Sequence, residues 1–321
     1  MEIKHHWSMA DLNAFYKLSL LELVSKAHQV HLQYHSPAEI HLCHLISIKT
    51  GGCSEDCKYC SQSAHYQTAT QAQPLMSWQE VQAAAKKAIA QGATRICLGA
   101  AWREVRANKP FEEILKMIKG LTDLGVEVCC TLGLLKEEFA QQLKEAGLYA
   151  YNHNLDTSES FYPTIITTRT YQDRLETLSL VEKAGIGVCC GGIIGLGESS
   201  LDRLQLLHQL SQRNPHPESV PINRLTPICG TPLATQSPIS HWELLRIIAI
   251  ARILMPKSLI RLSSGRNEMS AEEQALCFLA GANSVFIGDK LLTVSNPTAD
   301  RDAEMFHILG IKARPAFQKV S

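Results

Sequence analysis

Leu45-Ile46-Ser47-Ile48-Lys49-Thr50-Gly51-Gly52-Cys53-Ser54-Glu55-Asp56-Cys57-Lys58-Tyr59-Cys60 joins a short apolar run to a C-x3-C-x2-C array. The run reads as a strand and the glycine pair as the turn that leaves it. Three thiolates within eight residues can hold three corners of a four-iron cluster. The fourth iron then stays open. Such an iron can bind a small molecule and pass it an electron, whereas a cluster closed by four thiolates only relays electrons. A structural zinc site is the competing reading, and it needs a fourth ligand from His65 or another strand.

The same strand, loop and helix grammar recurs outward from this stretch. Eight runs read as strands: 45–49, 95–99, 126–131, 149–152, 187–193, 220–225, 259–262 and 285–287. Five follow a glycine that reads as the residue just past a helix end: Gly92, Gly125, Gly147, Gly185 and Gly281. Ser77/Glu80, Ser240/Glu243 and Ser270/Glu273 have capping-box spacing. Eight β/α units of roughly 30 residues fill about 250, the size of an α/β (β/α)8 TIM barrel. The runs lack strict polar alternation, as strands buried on both faces should. The barrel is placed at 37–290. Residues 1–36 read as an amphipathic helical extension carrying Leu18, Leu20, Leu21, Leu23 and Val24, and 291–321 as a short C-terminal tail with one helix. The Cys53 loop follows the first strand and so falls on the C-terminal face, where this architecture carries active sites.

Composition narrows the class. Of 321 residues, 45% are hydrophobic, enough for one large buried core. Acids and bases balance at 31 each, so nothing in bulk charge favours nucleic acid or an anionic membrane. No stretch approaches the ~20 apolar residues of a membrane span, and the first residues lack the apolar core of a signal peptide. Eleven cysteines, an odd number, fit reduced thiols and metal ligands in the cytoplasm better than a disulfide framework.

The remaining cysteines fall on strands: Cys97 in the second, Cys129 and Cys130 in the third, Cys189 and Cys190 in the fifth. Core packing explains any one of them. Three strands each bringing a thiol to the barrel axis suggest a second, deeper metal cluster. Only one of each adjacent pair can face inward, because side chains alternate along a strand. Gly191-Gly192-Ile193-Ile194-Gly195 reads equally as a tight turn or a ligand cradle and lacks the dinucleotide fingerprint. Tyr151-Asn152-His153-Asn154-Leu155-Asp156 ends the fourth strand with four polar groups, more than turn chemistry alone requires. Asp156 suits a ribose diol and Asn154 an amide or urea. Asn223 is a weaker candidate of the same kind. Arg95 and Arg261 lie in strands and need an anion, for which a cluster could serve. Arg174, on a helix after Thr170, reads by default as a surface residue.

These residues resemble the biotin synthase family of radical S-adenosylmethionine (AdoMet) enzymes over about 8–311. The resemblance rests on Gly52-Cys53-Ser54-Glu55-Asp56-Cys57-Lys58-Tyr59-Cys60-Ser61-Gln62-Ser63, Leu98-Gly99-Ala100-Ala101-Trp102, Tyr151-Asn152-His153-Asn154-Leu155-Asp156-Thr157-Ser158, Gly191-Gly192-Ile193, Ser219-Val220-Pro221-Ile222-Asn223 and Arg261-Leu262-Ser263-Ser264-Gly265-Arg266. The array alone marks the superfamily; the strand cysteines with Tyr151–Asp156 mark this member. Ser54 stands where the family usually has proline.

The resemblance implies that Cys53, Cys57 and Cys60 bind a [4Fe–4S] cluster whose open iron takes AdoMet. It implies that Cys97, Cys129, Cys189 and Arg261 bind a [2Fe–2S] cluster. A guanidinium has no free lone pair, so the metal role of Arg261 rests on resemblance alone. Tyr59, Asn154, Asp156 and Arg174, with Gly191 and Gly192, are implied around AdoMet, and Asn152, Asn154 and Asn223 around dethiobiotin. The implied reaction is sulfur insertion into dethiobiotin to give biotin, the last step of its biosynthesis. It would proceed by reductive AdoMet cleavage, hydrogen abstraction and attack on a cluster sulfide. A flavodoxin- or ferredoxin-type electron donor, the Fe–S assembly machinery and a homodimer belong to the same expectation. Another radical AdoMet enzyme with an auxiliary Fe–S cluster is the alternative.

Overall fold

The computed structural model describes residues 3–318. Its strands are β1 (Glu39–Lys49), β2 (Arg95–Ala100), β3 (Glu127–Thr131), β4 (Ala150–Asn152), β5 (Gly187–Cys189), β6 (Gly192–Ile194), β7 (Ser219–Arg224), β8 (Leu259–Leu262), β9 (Ser284–Ile287), β10 (Lys290–Leu291), β11 (Val294–Ser295) and β12 (Lys312–Ala313). β1 through β9 form one parallel sheet that closes where β9 pairs with β1. β5 and β6 share one stave, so the closed cylinder has eight staves with helices outside it, the expected (β/α)8 barrel.

The single run expected at 187–193 is interrupted for a chemical reason. Cys189 pairs with Ser219 and Gly192 with Ile222, so the register carries through unbroken. Between them Cys190 N–H still donates to the Ser219 carbonyl. Pro221 has no N–H to return to Cys190, and regular pairing lapses for two residues. β1 is longer than expected, beginning at Glu39.

All five helix-ending glycines have φ between +68° and +109°. Ser77/Glu80 and Ser270/Glu273 form reciprocal capping boxes. Ser240 caps its helix alone, because the Glu243 carboxylate turns away to Tyr16 (3.0 Å) and Arg203 (2.8 Å). The extension forms two helices, Met9–Lys17 and Leu20–Tyr34. Its buried Leu23, Val24, Ala27 and Val30 belong to the main apolar core, while Leu21 points outward. The tail does more than expected: β10 and β11 make a hairpin at the barrel mouth, and β12 pairs with the first residues of β1. Residues 1–2 of the extension and 319–321 of the tail lie outside the described residues.

Side-chain alternation sorts the cysteines. Cys97, Cys129 and Cys189 form a buried inner cluster with Cys43, Ala150 and Phe286. Cys130 and Cys190 face the other way, into the core between barrel and helices. Every cysteine carries a free thiol.

Candidate active site

The Cys53 loop leaves β1 through Gly51 and Gly52, both near φ +70°. A Cβ on Gly51 would come 2.9 Å from the Gln71 carbonyl oxygen, so only glycine fits this bend. The loop is then pinned from opposite sides. Cys53 N–H donates to Gln62 O and Ala64 N–H to Cys53 O. Glu55 is buried, accepts from Thr168 Oγ1 and pairs with Arg103 at 3.0 Å. Asp56 accepts from Thr167 N–H (2.9 Å) and Thr168 N–H (3.2 Å). Burial disfavours its charge, but the Thr167 and Thr168 bonds win and hold it down at about 2.

His65, the proposed fourth zinc ligand, turns its Nε2 to the Ser54 carbonyl at 3.0 Å. Among the described residues no three His, Cys, Asp or Glu side chains gather closely enough for a single metal ion. A mononuclear site would draw its donors to within ~2.3 Å of one point. What stands near the thiols is cationic: Arg169 Nη2 lies 3.7 Å from Cys57 Sγ. Burial pushes the Cys57 thiol up to about 12 against the opposing charges of Arg169 and Arg174.

A cavity of about 320 Å³ runs from this loop into the barrel. Cys53, Cys57 and Cys60 line its outer part, and Cys97, Cys129, Cys189 and Arg261 its inner part. Tyr59, Asn152, Asn154, Asp156, Arg174 and Asn223 line it as well. Asp156 has φ +67°, rare for a residue with a Cβ. It is held there because Ile193 N–H donates to its carbonyl at 2.8 Å. Its carboxylate meets Arg174, whose Nε donates to Tyr162 Oη at 2.9 Å. Arg174 is therefore buried, not a surface residue as its helix suggests. Asn152 Nδ2 points at Cys189 Sγ at 3.3 Å. Asn154 Oδ1 accepts from Gly191 N–H at 3.1 Å, and Asn223 Nδ2 donates to Gly192 O at 3.0 Å.

Gly191 and Gly192, expected beside a cofactor, are not among the cavity residues. A Cβ on Gly191 would come 1.9 Å from Pro221 O, and one on Gly192 2.3 Å from Leu206 Cδ2. Close packing behind the wall is what requires glycine there, and both act by orienting Asn154 and Asn223.

The two strand arginines differ. Arg95 needs no cluster: Nε donates to Glu127 (2.7 Å) and both Nη atoms to Glu218 (2.9 and 2.7 Å). Arg261 has no carboxylate partner among the described residues. Nε donates to Ser284 Oγ (2.9 Å), Nη1 to Cys189 Sγ (3.5 Å), and buried Nη2 has no partner. A buried cation in this state calls for an anion beside it. A thiolate-bound iron–sulfur cluster is one, so the inner donor set fits such a group. At the outer end, three thiols, the cations Arg169 and Arg174, and the carboxylate of Asp156 fit a cluster with a zwitterionic ligand.

Four features escaped sequence reading. Arg169 follows two threonines with nothing to mark it. Glu55 looked like a loop residue. The hairpin residues Leu291, Leu292, Thr293 and Val294 line the cavity but were assigned to the tail, and Ser61 Oγ bonds Thr293 Oγ1 across that boundary at 2.7 Å. Cys43 lies two residues before Leu45, and alternation along the longer β1 turns it inward with that residue.

An eight-staved barrel with a three-cysteine loop over its C-terminal mouth defines a radical AdoMet enzyme. Residues 47–210 match the Radical SAM superfamily, and 221–312 the Biotin and Thiamin Synthesis associated domain. The chain is 54% identical to biotin synthase of Cytophaga hutchinsonii, covering 99% of this chain and 94% of that protein. It is 56% identical to biotin synthase of Chlamydia abortus, over 97% and 94% respectively. The chain belongs to the biotin synthase family. Its backbone is also similar to methylornithine synthase (PylB), with TM-score 0.80, 20% identity and coverage of 96% and 94%. Similarity extends to HydG, a maturase of the [FeFe]-hydrogenase, with TM-score 0.82, 16% identity and coverage of 95% and 72%. These two likenesses concern the fold alone.

Proposed function

We propose that this chain is a sulfurtransferase that inserts sulfur into dethiobiotin to form biotin, using AdoMet as radical source. The observation that carries this reading is the continuity of one cavity from the Cys53, Cys57 and Cys60 thiols to those of Cys97, Cys129 and Cys189. The outer triplet would hold a [4Fe–4S] cluster. The inner triplet, with Arg261 beside it, would hold a [2Fe–2S] cluster. When bound, these groups and AdoMet supply the electron, the 5′-deoxyadenosyl radical and the sulfur that no side chain provides.

The chain's own part is binding, orientation and exclusion of water. Arg169 and Arg174 offset negative charge at the outer thiolates. Tyr59, Asn154 and Asp156 present an aromatic ring and acceptors to AdoMet, with Asp156 fixed by its Arg174 pair. Asn152 and Asn223 face dethiobiotin, Asn152 between the substrate and Cys189. Leu291, Leu292 and Val294 cover the mouth and keep water from a radical, which would otherwise react with it. Positioning two reacting carbons against one sulfur source in a closed space is the principal rate contribution left to the protein.

The family resemblance supports a homodimer, a flavodoxin- or ferredoxin-type electron donor and a dependence on Fe–S assembly machinery. Free thiols throughout the chain support a reducing compartment, the cytoplasm. No helix among the described residues is long and apolar enough to cross a membrane.

The test is anaerobic reconstitution with iron and sulfide, followed by AdoMet, reductant and dethiobiotin, with biotin as readout. Biotin is the expected product. AdoMet cleavage without biotin, from protein carrying both clusters, would point instead to a related radical AdoMet enzyme with another substrate.

A further inference from the structure

The β10–β11 hairpin roofs the inner chamber. Leu291 belongs to the buried layer that holds Cys97, Cys129 and Cys189, and Val294 packs against that layer. Leu292 reaches down to β2, where a Cβ on Gly99 would come 3.3 Å from its Cδ2. The hairpin has little of its own to hold it there. Lys290 pairs with Ser295 and Leu291 with Val294, and a hairpin that short is marginal in water. Its turn puts Leu292 at φ +56°, unfavourable for a residue with a Cβ. Its base is anchored by Asn296, whose Nδ2 donates to Phe286 O (3.0 Å) and Gly288 O (2.9 Å). At its tip Thr293 Oγ1 is hydrogen-bonded to Ser61 Oγ at 2.7 Å.

Ser61 directly follows Cys60, the last thiol of the outer array, and is buried. Its carbonyl accepts from Thr68 Oγ1 at 2.7 Å. Cys60 N–H donates to Cys57 O and Ser63 N–H to Cys60 O, so the Ser61 backbone moves with the thiol beside it. Hydrogen bonds between hydroxyls are confined to about 2.5–3.0 Å, and a loop shift of about 1 Å breaks this one. We propose that Ser61 is a positioning residue: its hydroxyl latches the hairpin tip to the outer cysteine loop. An iron–sulfur cluster on Cys53, Cys57 and Cys60, by fixing that loop, then also holds the roof closed over the inner thiols. The latch ties closure of the chamber to the presence of the group that starts the radical chemistry, and no covalent bond changes in it. The proposal rests on the sulfur-insertion reading only in taking the outer array as a cluster site.

The test is hydrogen–deuterium exchange at residues 290–295 of the full chain, metal-free and after anaerobic reconstitution with iron and sulfide. The proteins are wild type, Ser61→Ala, Thr293→Val, Thr293→Ser, Cys53→Ala and Cys97→Ala. Thr293→Val removes the hydroxyl at nearly the same shape, and Thr293→Ser keeps it. In wild type, reconstitution is expected to slow hairpin exchange at least several-fold. Ser61→Ala and Thr293→Val should lose that slowing and Thr293→Ser should retain it. Combining Ser61→Ala with Thr293→Val should add nothing to either alone, as for two ends of one bond. The slowing should be absent in Cys53→Ala, which lacks one outer thiol, and persist in Cys97→Ala, which keeps all three. Hairpin exchange unaffected by reconstitution in wild type, or slowed as much in Thr293→Val or Cys53→Ala as in wild type, would overturn the proposal. Thr293→Val settles it alone if Ser61→Ala does not fold. Exchange is read without turnover, so a slowed hairpin in reconstituted wild type that makes no biotin would sink the sulfur-insertion reading and uphold the latch.

Discussion

Arg261 Nη1 lies 3.5 Å from Cys189 Sγ at the buried inner end of the cavity, with no carboxylate among the described residues paired to the guanidinium. Arg95, equally buried, is matched by Glu127 and Glu218. Two arginines of the same barrel interior therefore have opposite electrostatic situations. Removing Arg95 strands a buried carboxylate, whereas removing Arg261 leaves behind only a hydroxyl and a thiol that it had bonded. Arg95→Met should cost about 3–5 kcal/mol in the metal-free protein. Arg261→Met should cost little or stabilise. Urea unfolding of both variants under reductant checks this, and the account fails if Arg261→Met is the more damaging change.

The cysteine pairs give a second expectation. Cys97 pairs with Cys129 across β2 and β3 in register, so Cys129 shares its face and Cys130 takes the opposite one. Cys129→Ser should abolish or shift the [2Fe–2S] absorption. Cys130→Ser should leave that absorption unchanged and lose about 1 kcal/mol of stability, as a small polar substitution in an apolar core does. Visible spectra of the two reconstituted variants decide the register.

Gly51 supports the outer triplet. Gly51→Ala would place a side chain at φ +70°, 2.9 Å from the Gln71 carbonyl oxygen. The left-handed backbone alone costs roughly 1–2 kcal/mol. The expected outcome is faster loss of the outer cluster to a chelator, with secondary structure retained by circular dichroism. Unchanged retention would show that the loop tolerates a different bend.

One source of acid sensitivity lies far from the site. Burial, then the charge of Arg252, pulls His31 down to about 3 and His35 to about 2, from an ordinary 6.5. Their rings stack 5.3 Å apart. The unfolded chain takes up protons below pH 6.5 where the folded chain does not. The stabilisation is therefore complete above pH 6.5 and is lost as pH falls toward 3. The loss at His31 should reach roughly 3 kcal/mol near pH 4. His31→Phe should flatten that slope in denaturant unfolding between pH 7 and pH 4; an unaltered slope would place the acid lability elsewhere.

The barrel was legible in the sequence because its signals are local. A glycine past each helix, a cap before it and an apolar run after it each involve a few neighbouring residues, and Gly92 or Ser77 behaves as its neighbours require. Cysteine spacing was legible for the same reason. Register was not, since nothing inside Cys129-Cys130 states which thiol faces the axis; pairing with Cys97 decides it. Nor did local pattern show that Arg174 is buried, because its partner Asp156 lies on another element. Pro221 interrupts a stave of which it is not itself part, and Leu291–Val294 reach the cavity only once the barrel has closed.

The central claim is that the inner thiols hold the sulfur that enters the product. Reconstitution of the inner cluster with isotopically labelled sulfide, followed by one turnover with AdoMet, reductant and dethiobiotin in unlabelled buffer, tests it most directly. Mass spectrometry of the product should find the label in biotin from wild type, and no biotin from Cys97→Ala although it still cleaves AdoMet. Unlabelled biotin, or labelled biotin in equal yield from both proteins, would contradict the account.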